Sequence, residues 1–352
     1  MATPIPASSS ERETGRAGEP VSRRHPPAQH GGPGTVRVTA LVGGKVEECE
    51  GTTALTRMPQ MLGHAGTMFW VDLSGPSDEQ VDEVGTALGF HPLIVEDILE
   101  GNQRSKLEMT DGVVHIVLFS LAYTDEVITT EIDIVLGPGF LLTAHDDTWD
   151  AFDSHHLRGG DGVEEILKQG ADHLLWAISD DVVDHYFPFA DQLGDALDEV
   201  QDEVVRKASS DALEKLFHLK RELVEVRRSV GPVREIFNQL TNRETELIDP
   251  KEILYFRDVY DHVIRLTDEL DNYRELATAT LDVYLTQVNN NLSVIMKRLT
   301  GVTVVLAGIG AVAGIFGMSE AHDVAGGFWG VSMAIALGAG VLLVFLRRID
   351  WI

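Results

Sequence analysis

Residues 249–318 read DPKEILYFRDVYDHVIRLTDELDNYRELATATLDVYLTQVNNNLSVIMKRLTGVTVVLAGIGAVAGIFGM, and this stretch decides the fold. Asp249-Pro250 is a favourable helix start: a capping carboxylate, then a ring that fixes φ for the first helical position. Between Lys251 and Thr300 there is neither Gly nor Pro, so nothing local ends the helix for fifty residues. At about 1.5 Å per residue that is about 75 Å. A helix of this length exceeds one small domain and must be a coiled coil, a stalk, or the extension of a membrane span.

The C-terminal residues decide among these. Residues 299–318 contain no charge, and neither do residues 326–346. Each is about 20 residues long, the length that crosses a hydrocarbon core of about 30 Å with its backbone satisfied internally. Lys297 and Arg298 precede the first stretch and Arg347 and Arg348 come after the second, whereas the loop 319–325 carries Glu320, His322 and Asp323 without Lys or Arg. The positive-inside rule therefore expects a plasma-membrane protein with both termini cytoplasmic, the loop 319–325 external and a short cytoplasmic tail at 347–352. Along the first span Thr303, Ala307, Gly310, Gly314 and Gly317 recur at steps of three or four, a stripe that serves either close helix packing or a pore lining. Two spans cannot enclose an ion path, so conduction requires a homo-oligomer, with cyclic symmetry as the expectation.

Working back toward the N-terminus, residues 161–248 read as acidic antiparallel helices. Between Asp180 and Glu203 there are nine acids and no Lys or Arg, while Val182, Tyr186, Phe189, Leu193, Leu197 and Val200 keep helical spacing. Ser209, Ser210 and Asp211 offer caps for a second helix running through Leu213, Leu216, Leu219, Leu223 and Val226. Residues 35–160 predict an α/β domain. Its β-branched runs fall at 35–42, 68–73, 113–123 and 131–143, the last broken by Gly137-Pro138-Gly139, with an amphipathic helix at 77–88. Residues 1–34, rich in Pro, Gly, Ser, Ala and Arg and without an apolar run fit for a signal peptide, read as a disordered tail.

Lys plus Arg total 28 against 56 for Asp plus Glu, and the formal charge of −28 argues against nucleic acid as a partner and suits a surface that concentrates cations. The single cysteine, Cys49, excludes an intrachain disulfide framework. No phosphate-cradling Gly-rich loop with a following Lys, no His-Glu-x-x-His and no nucleophile elbow is present, so an enzyme is not expected, and the pair His155-His156 reads as a surface loop.

Three stretches together resemble the CorA-type divalent-cation transporters: HPLIVED at 91–97 with QRSK at 103–106, YFRDVYDH at 255–262, and LDVYL at 281–285 running to MKRLT at 296–300. The resemblance covers the chain from about residue 35 onward. It implies a homopentameric funnel in a lipid bilayer: an α/β domain, two acidic helices beside a stalk at 249–298, the stalk continuing into the first span (299–318) as the pore, and an outer second span (326–346). It implies no cofactor, but Mg²⁺ or another divalent cation as both transported and regulatory ion. By the same resemblance Asp97 and Asp258 are candidate regulatory metal ligands, though each reads equally as a solvated acid. Asp282, Ser293, Met296, Leu299, Gly310, Gly317, Met318 and Ser319 are pore candidates, with Glu320 and Asp323 in the external loop. The family's Gly-Met-Asn signature is Gly317-Met318-Ser319 here. A Ser hydroxyl keeps an acceptor for the water shell of Mg²⁺ but has a shorter reach than an Asn amide. Ser293 stands where related chains often have Asn, and Gly308 and Gly310 where they often have Pro and Thr. These reduced polar rings leave open a second function, a membrane-tethered cation sensor that conducts little or nothing. His322 beside Glu320 and Asp323 permits a softer ion such as Zn²⁺, Co²⁺ or Ni²⁺.

The topology predicts that a cysteine placed at Ala321 is labelled by a membrane-impermeant reagent on intact cells; protection there, with accessible neighbouring controls, contradicts it.

Overall fold

The computed structural model describes residues 34–62, 67–101, 103–123, 127–157, 160–242, 245–318, 327–348 and 351. Residues 1–33 of the tail and the loop 319–326, with Ser319, Glu320 and Asp323, lie outside the described residues. The described residues divide into two compact units, one formed by those from 34 to 119 with 130–178 and 245–252, the other by those of 120–129, 179–242 and 253 onward.

The first unit is built on a seven-stranded sheet. Its strands are β1 (Thr35–Val42), β2 (Lys45–Glu50), β3 (Met68–Ser74), β4 (Lys106–Thr110), β5 (Val113–Tyr123), β6 (Val127–Gly137) and β7 (Phe140–His145). Their order is β2-β1-β3-β7-β6-β5-β4. β3 and β7 run parallel, while β1 pairs antiparallel with β2 and β3, β4 with β5, and β6 with β7. Central β3 and β7 are buried along nearly their whole length and read as near-continuous apolar runs broken by Asp72, Thr143 and His145, as strands covered on both faces do. On one face Val36, Val38, Ala40, Phe69, Val71 and Leu73 form a core with helices α1 (Gly51–Leu62), α2 (Asp78–Leu88) and α3 (Pro92–Glu100). α2 forms where its amphipathic spacing predicts, closed by a reciprocal capping box between Ser77 and Gln80. β2, β4 and α1 are not legible in the sequence: the two strands are the sheet's charged edges, and α1 carries Pro59 inside it.

Residues 161–248, read from the sequence as acidic antiparallel helices, are helical throughout most of their length. That range holds α4 (Gly160–Gln169), α5 (Ala171–Asp184), α6 (Tyr186–Arg206), α7 (Ser210–Val230) and α8 (Val233–Asn242), and α4 with most of α5 belongs to the sheet unit. Gly170, at φ 127°, separates α4 from α5 in a conformation that L side chains rarely adopt.

The second unit is organised by α9 (Ile253–Met318), a single helix of 66 residues and about 100 Å. Phe256, Val259, Val263, Leu266, Leu270 and Ala277 recur at steps of three, four and seven and are buried, and α6, α7 and α8 all pack on α9. The Arg227 guanidinium of α7 donates to Asp271 Oδ1 at 3.1 Å and, with Arg274, holds that carboxyl below its usual range. Beyond Thr280 the helix turns outward: Val283, Leu285, Val288, Leu292, Ile295, Met296, Leu299 and Leu306 are all exposed. Among the described residues α9 is the helix long and apolar enough to cross a membrane, and only 11% of its apolar window is buried, unlike the core helix of a soluble protein. α10 (Gly327–Arg348) lies along α9 with Trp329, Met333, Leu337 and Val341 exposed.

On the other face of the sheet, Asp72 Oδ1 accepts from Thr143 Oγ1 at 2.5 Å and faces His145 Nε2 at 3.2 Å, while His145 Nδ1 faces the Asp146 carbonyl at 2.5 Å. Both ring nitrogens meet acceptors, an arrangement that only the imidazolium satisfies. Burial opposes that charge, yet Asp72 and the Asp146 carbonyl outweigh it and raise the His145 pKa above its ordinary 6.5. A raised folded-state pKa gives stability that is complete below the unfolded value and is lost as pH rises through the folded one. Denaturation followed by tryptophan fluorescence is therefore expected to show stability that falls as pH rises above the ordinary 6.5, with a flatter profile in Asp72→Asn.

Candidate metal-ion sites and ion path

On the sheet unit, Asp97 sits in the second turn of α3. His91 starts this helix by accepting from the Leu93 amide at 3.2 Å, Pro92 comes next, and Gly101 in the left-handed conformation ends it. Asp97 is 21% exposed at the side chain and is paired, Lys106 Nζ of β4 lying 2.5 Å from Oδ2; the same ammonium is 3.5 Å from Glu108 Oε2. Burial works against the Lys106 charge, but these two carboxylates prevail and its pKa is raised. The cation partner of Asp97 within its own unit is therefore an ammonium, and a metal ligating Asp97 has to share it or displace it.

On the helical unit, Asp258 projects from the second turn of α9 with its side chain 72% exposed. His262, one turn on, has Nε2 3.9 Å from Asp258 Oδ2 and Nδ1 3.4 Å from Asp184 Oδ1. Asp180 and Asp184, one turn apart on α5, and His262 each offer a ligand atom, all within 4.8 Å of one another. Two carboxylates and an imidazole suit a divalent cation, the oxygens favouring a hard ion and the nitrogen a more polarisable one. The family resemblance points to Asp258 but not to this trio. The signal for it in the sequence is the i, i+4 pair Asp180/Asp184, hidden in a run of acids that reads as a solvated face, and no local pattern joins His262 to that pair.

The path candidates lie on α9. At about 100° per residue, Asp282, Ser293, Met296, Leu299, Thr303, Ala307, Gly310 and Gly314 fall within an arc of about 120°. All are exposed. The hydroxyls on this arc turn back to the helix, Ser293 Oγ donating to the Asn289 carbonyl at 2.9 Å and Thr303 Oγ1 to that of Leu299 at 2.8 Å, so each oxygen keeps lone pairs for an outside donor such as a hydrated ion's water. A Cβ built on Gly310 or Gly314 meets nothing within 4 Å, leaving that arc open for whatever lies beside it. Gly317 and Met318 end the same helix.

The chain is similar along most of its length to characterised proteins. It is 31% identical over 298 residues to the cobalt/magnesium transport protein CorA of Thermotoga maritima, covering 82% of this chain and 84% of that one. It is 25% identical over 293 residues to the protein of the same description from Methanocaldococcus jannaschii, covering 81% and 92%. Its fold matches the complete structure of the CorA magnesium transporter from M. jannaschii with a TM-score of 0.72 at 21% identity, over 90% of this chain and 98% of that one. The family model described as CorA-like Mg²⁺ transporter protein matches residues 65–348. A sheet unit followed by one long helix with an exposed apolar end, aligned over that range, makes this chain a member of the CorA-like Mg²⁺ transporter family, a family of transporters and not of enzymes.

Proposed function

We propose that this chain is the subunit of a homopentameric channel that passes divalent cations, Mg²⁺ foremost and Co²⁺, Ni²⁺ or Zn²⁺ as alternatives, across the plasma membrane under control of cytoplasmic divalent cation. The observation that carries this reading is α9. It joins an acid-flanked, packed segment to an exposed apolar one without a break, and its path candidates share one face. In a ring of such helices that face borders the central axis, with residues 299–318 as the first span, 326–346 as the second and the loop 319–325 outside.

The driving force is the membrane potential, worth about 2.3 kcal/mol per charge per 100 mV and twice that for a divalent ion. Asp97 and Asp258 are the proposed regulatory ligands: a cation between carboxylates of neighbouring subunits screens their repulsion and favours a closed ring, and its loss releases the open state. Asp180, Asp184 and His262 add a second set of donors beside Asp258. The Gly-Met-Ser sequence at 317–319 favours one other reading, a cation-sensing membrane protein with little conduction.

Flux decides between the two. Purified protein in vesicles with an imposed potential, inside negative, is expected to take up Mg²⁺; absence of uptake of Mg²⁺, Co²⁺, Ni²⁺ and Zn²⁺ by a properly assembled oligomer favours the sensor. Ser319→Asn is expected to sharpen the preference for Mg²⁺, and Glu320→Gln with Asp323→Asn to reduce uptake most at low ionic strength, where screening is weakest. Unaltered selectivity and uptake in these variants removes the entrance-filter role. Asp97→Asn with Asp258→Asn is expected to weaken inhibition by cytoplasmic Mg²⁺, and undiminished inhibition in the assembled double variant rejects the two residues as the sensor.

A further inference from the structure

The sheet unit holds a buried histidine that neither the ion path nor the regulatory pair uses. His115, in the third position of β5, is 1% exposed. Its Nε2 lies 2.7 Å from Asp133 Oδ1, on β6 and buried as well. A carboxylate can only accept, so Nε2 carries the proton toward Asp133, and Nδ1 is the nitrogen whose lone pair a metal can take. Nδ1 is buried and has no hydrogen-bond partner. An acceptor stripped of water without a partner costs free energy, and it is also what a metal ligand looks like before the metal arrives.

The surroundings supply the rest of a ligand set. Glu108 on β4 is the cross-strand register partner of His115, which puts the two side chains on one face of the sheet. Asp97 reaches the same place from α3, and Asp97, Glu108 and His115 each offer one ligand atom, all within 4.8 Å of one another. We propose that these three residues form a transition-metal site that takes Zn²⁺, Co²⁺ or Ni²⁺ through His115 Nδ1 and one oxygen of each carboxylate, with Asp133 orienting the ring.

The chemistry separates this site from any Mg²⁺ site on the same protein. Mg²⁺ prefers six oxygens and sheds water reluctantly, whereas an imidazole nitrogen held in place by a buried carboxylate favours Zn²⁺ and its neighbours. Three protein ligands leave a coordination position for water. The Lys106 ammonium, 2.5 Å from Asp97 Oδ2 and 3.5 Å from Glu108 Oε2, neutralises the two carboxylates in the metal-free protein and competes with the metal for them. Its side chain is 22% exposed, so it has a route to solvent when displaced. Because Asp97 is also a proposed regulatory ligand, metal at His115 would draw on a carboxylate that the Mg²⁺ response uses. The binding claim itself does not rest on the channel reading.

The test is a Zn²⁺ titration of the full chain in detergent, stripped of metal and then held in excess Mg²⁺ to fill oxygen-only sites, followed calorimetrically and, with Co²⁺ as substitute, by its visible absorption. A Mg²⁺-resistant Zn²⁺ site is expected. Glu108→Gln, at an exposed position, and the paired replacement His115→Phe with Asp133→Val, which leaves no buried polar group behind, should each weaken it about 10–100-fold. Lys106→Ala should tighten it by removing the competing ammonium. The proposal is overturned by equal Zn²⁺ affinity in the wild type, Glu108→Gln and the paired variant, by displacement of Zn²⁺ at equimolar Mg²⁺, or by a Lys106→Ala variant that binds Zn²⁺ no better.

Discussion

The hydrogen-bonded continuity of α9 is the constraint on which the helical unit depends. A helix satisfies its own backbone groups, so it can leave a packed aqueous environment and enter an apolar one without stranding a donor or acceptor. For that to happen no Gly or Pro can interrupt the middle, and from Lys251 to Thr300 none does. What changes along the helix is the side-chain surface alone. Up to Ala277 the apolar positions keep a stripe that α6, α7 and α8 cover; beyond Thr280 apolar groups stand exposed around the helix. From Leu299 on no charge interrupts that surface, and only 11% of the apolar window of α9 is buried, unlike the core helix of a soluble protein.

The start of that helix is fixed by groups distant in sequence. The Asp249 amide donates to Asp172 Oδ2 at 2.9 Å, Asp249 Oδ1 accepts from the Lys251 amide at 3.0 Å, and Glu252 faces His173 Nδ1 at 2.8 Å. These contacts tie residues 249–252 to the start of α5 within the sheet unit, immediately before α9 begins. Exposed ion pairs between flexible side chains contribute about 0–1 kcal/mol each, whereas the buried ones here are hydrogen-bonded and set geometry.

Two buried histidines in one sheet show how partners, more than burial, assign a role. His145 has an acceptor at each nitrogen and is suited to carry charge; His115 has a carboxylate at one nitrogen and nothing at the other, and is suited to ligate. Both are almost fully buried, and both stand in apolar strands where a sequence reading sees only an interruption.

The sequence by itself determined what depends on local regularity: the long helix, the apolar stretches with basic residues beside them, the amphipathic helix at 77–88, the central strands and the family resemblance. Each is carried by a periodic pattern, a length or a motif that its neighbours in the chain suffice to define. Tertiary structure alone decided the edge strands β2 and β4, whose charges hide their pairing, and the helix α1 that contains Pro59. It also decided that α4 and most of α5 join the sheet, that Lys106 already occupies Asp97, and that Asp180, Asp184 and His262 converge. Ligand sets of this kind unite residues tens of positions apart, and no local pattern encodes which side chains the packing of strands and helices will bring within a few ångströms.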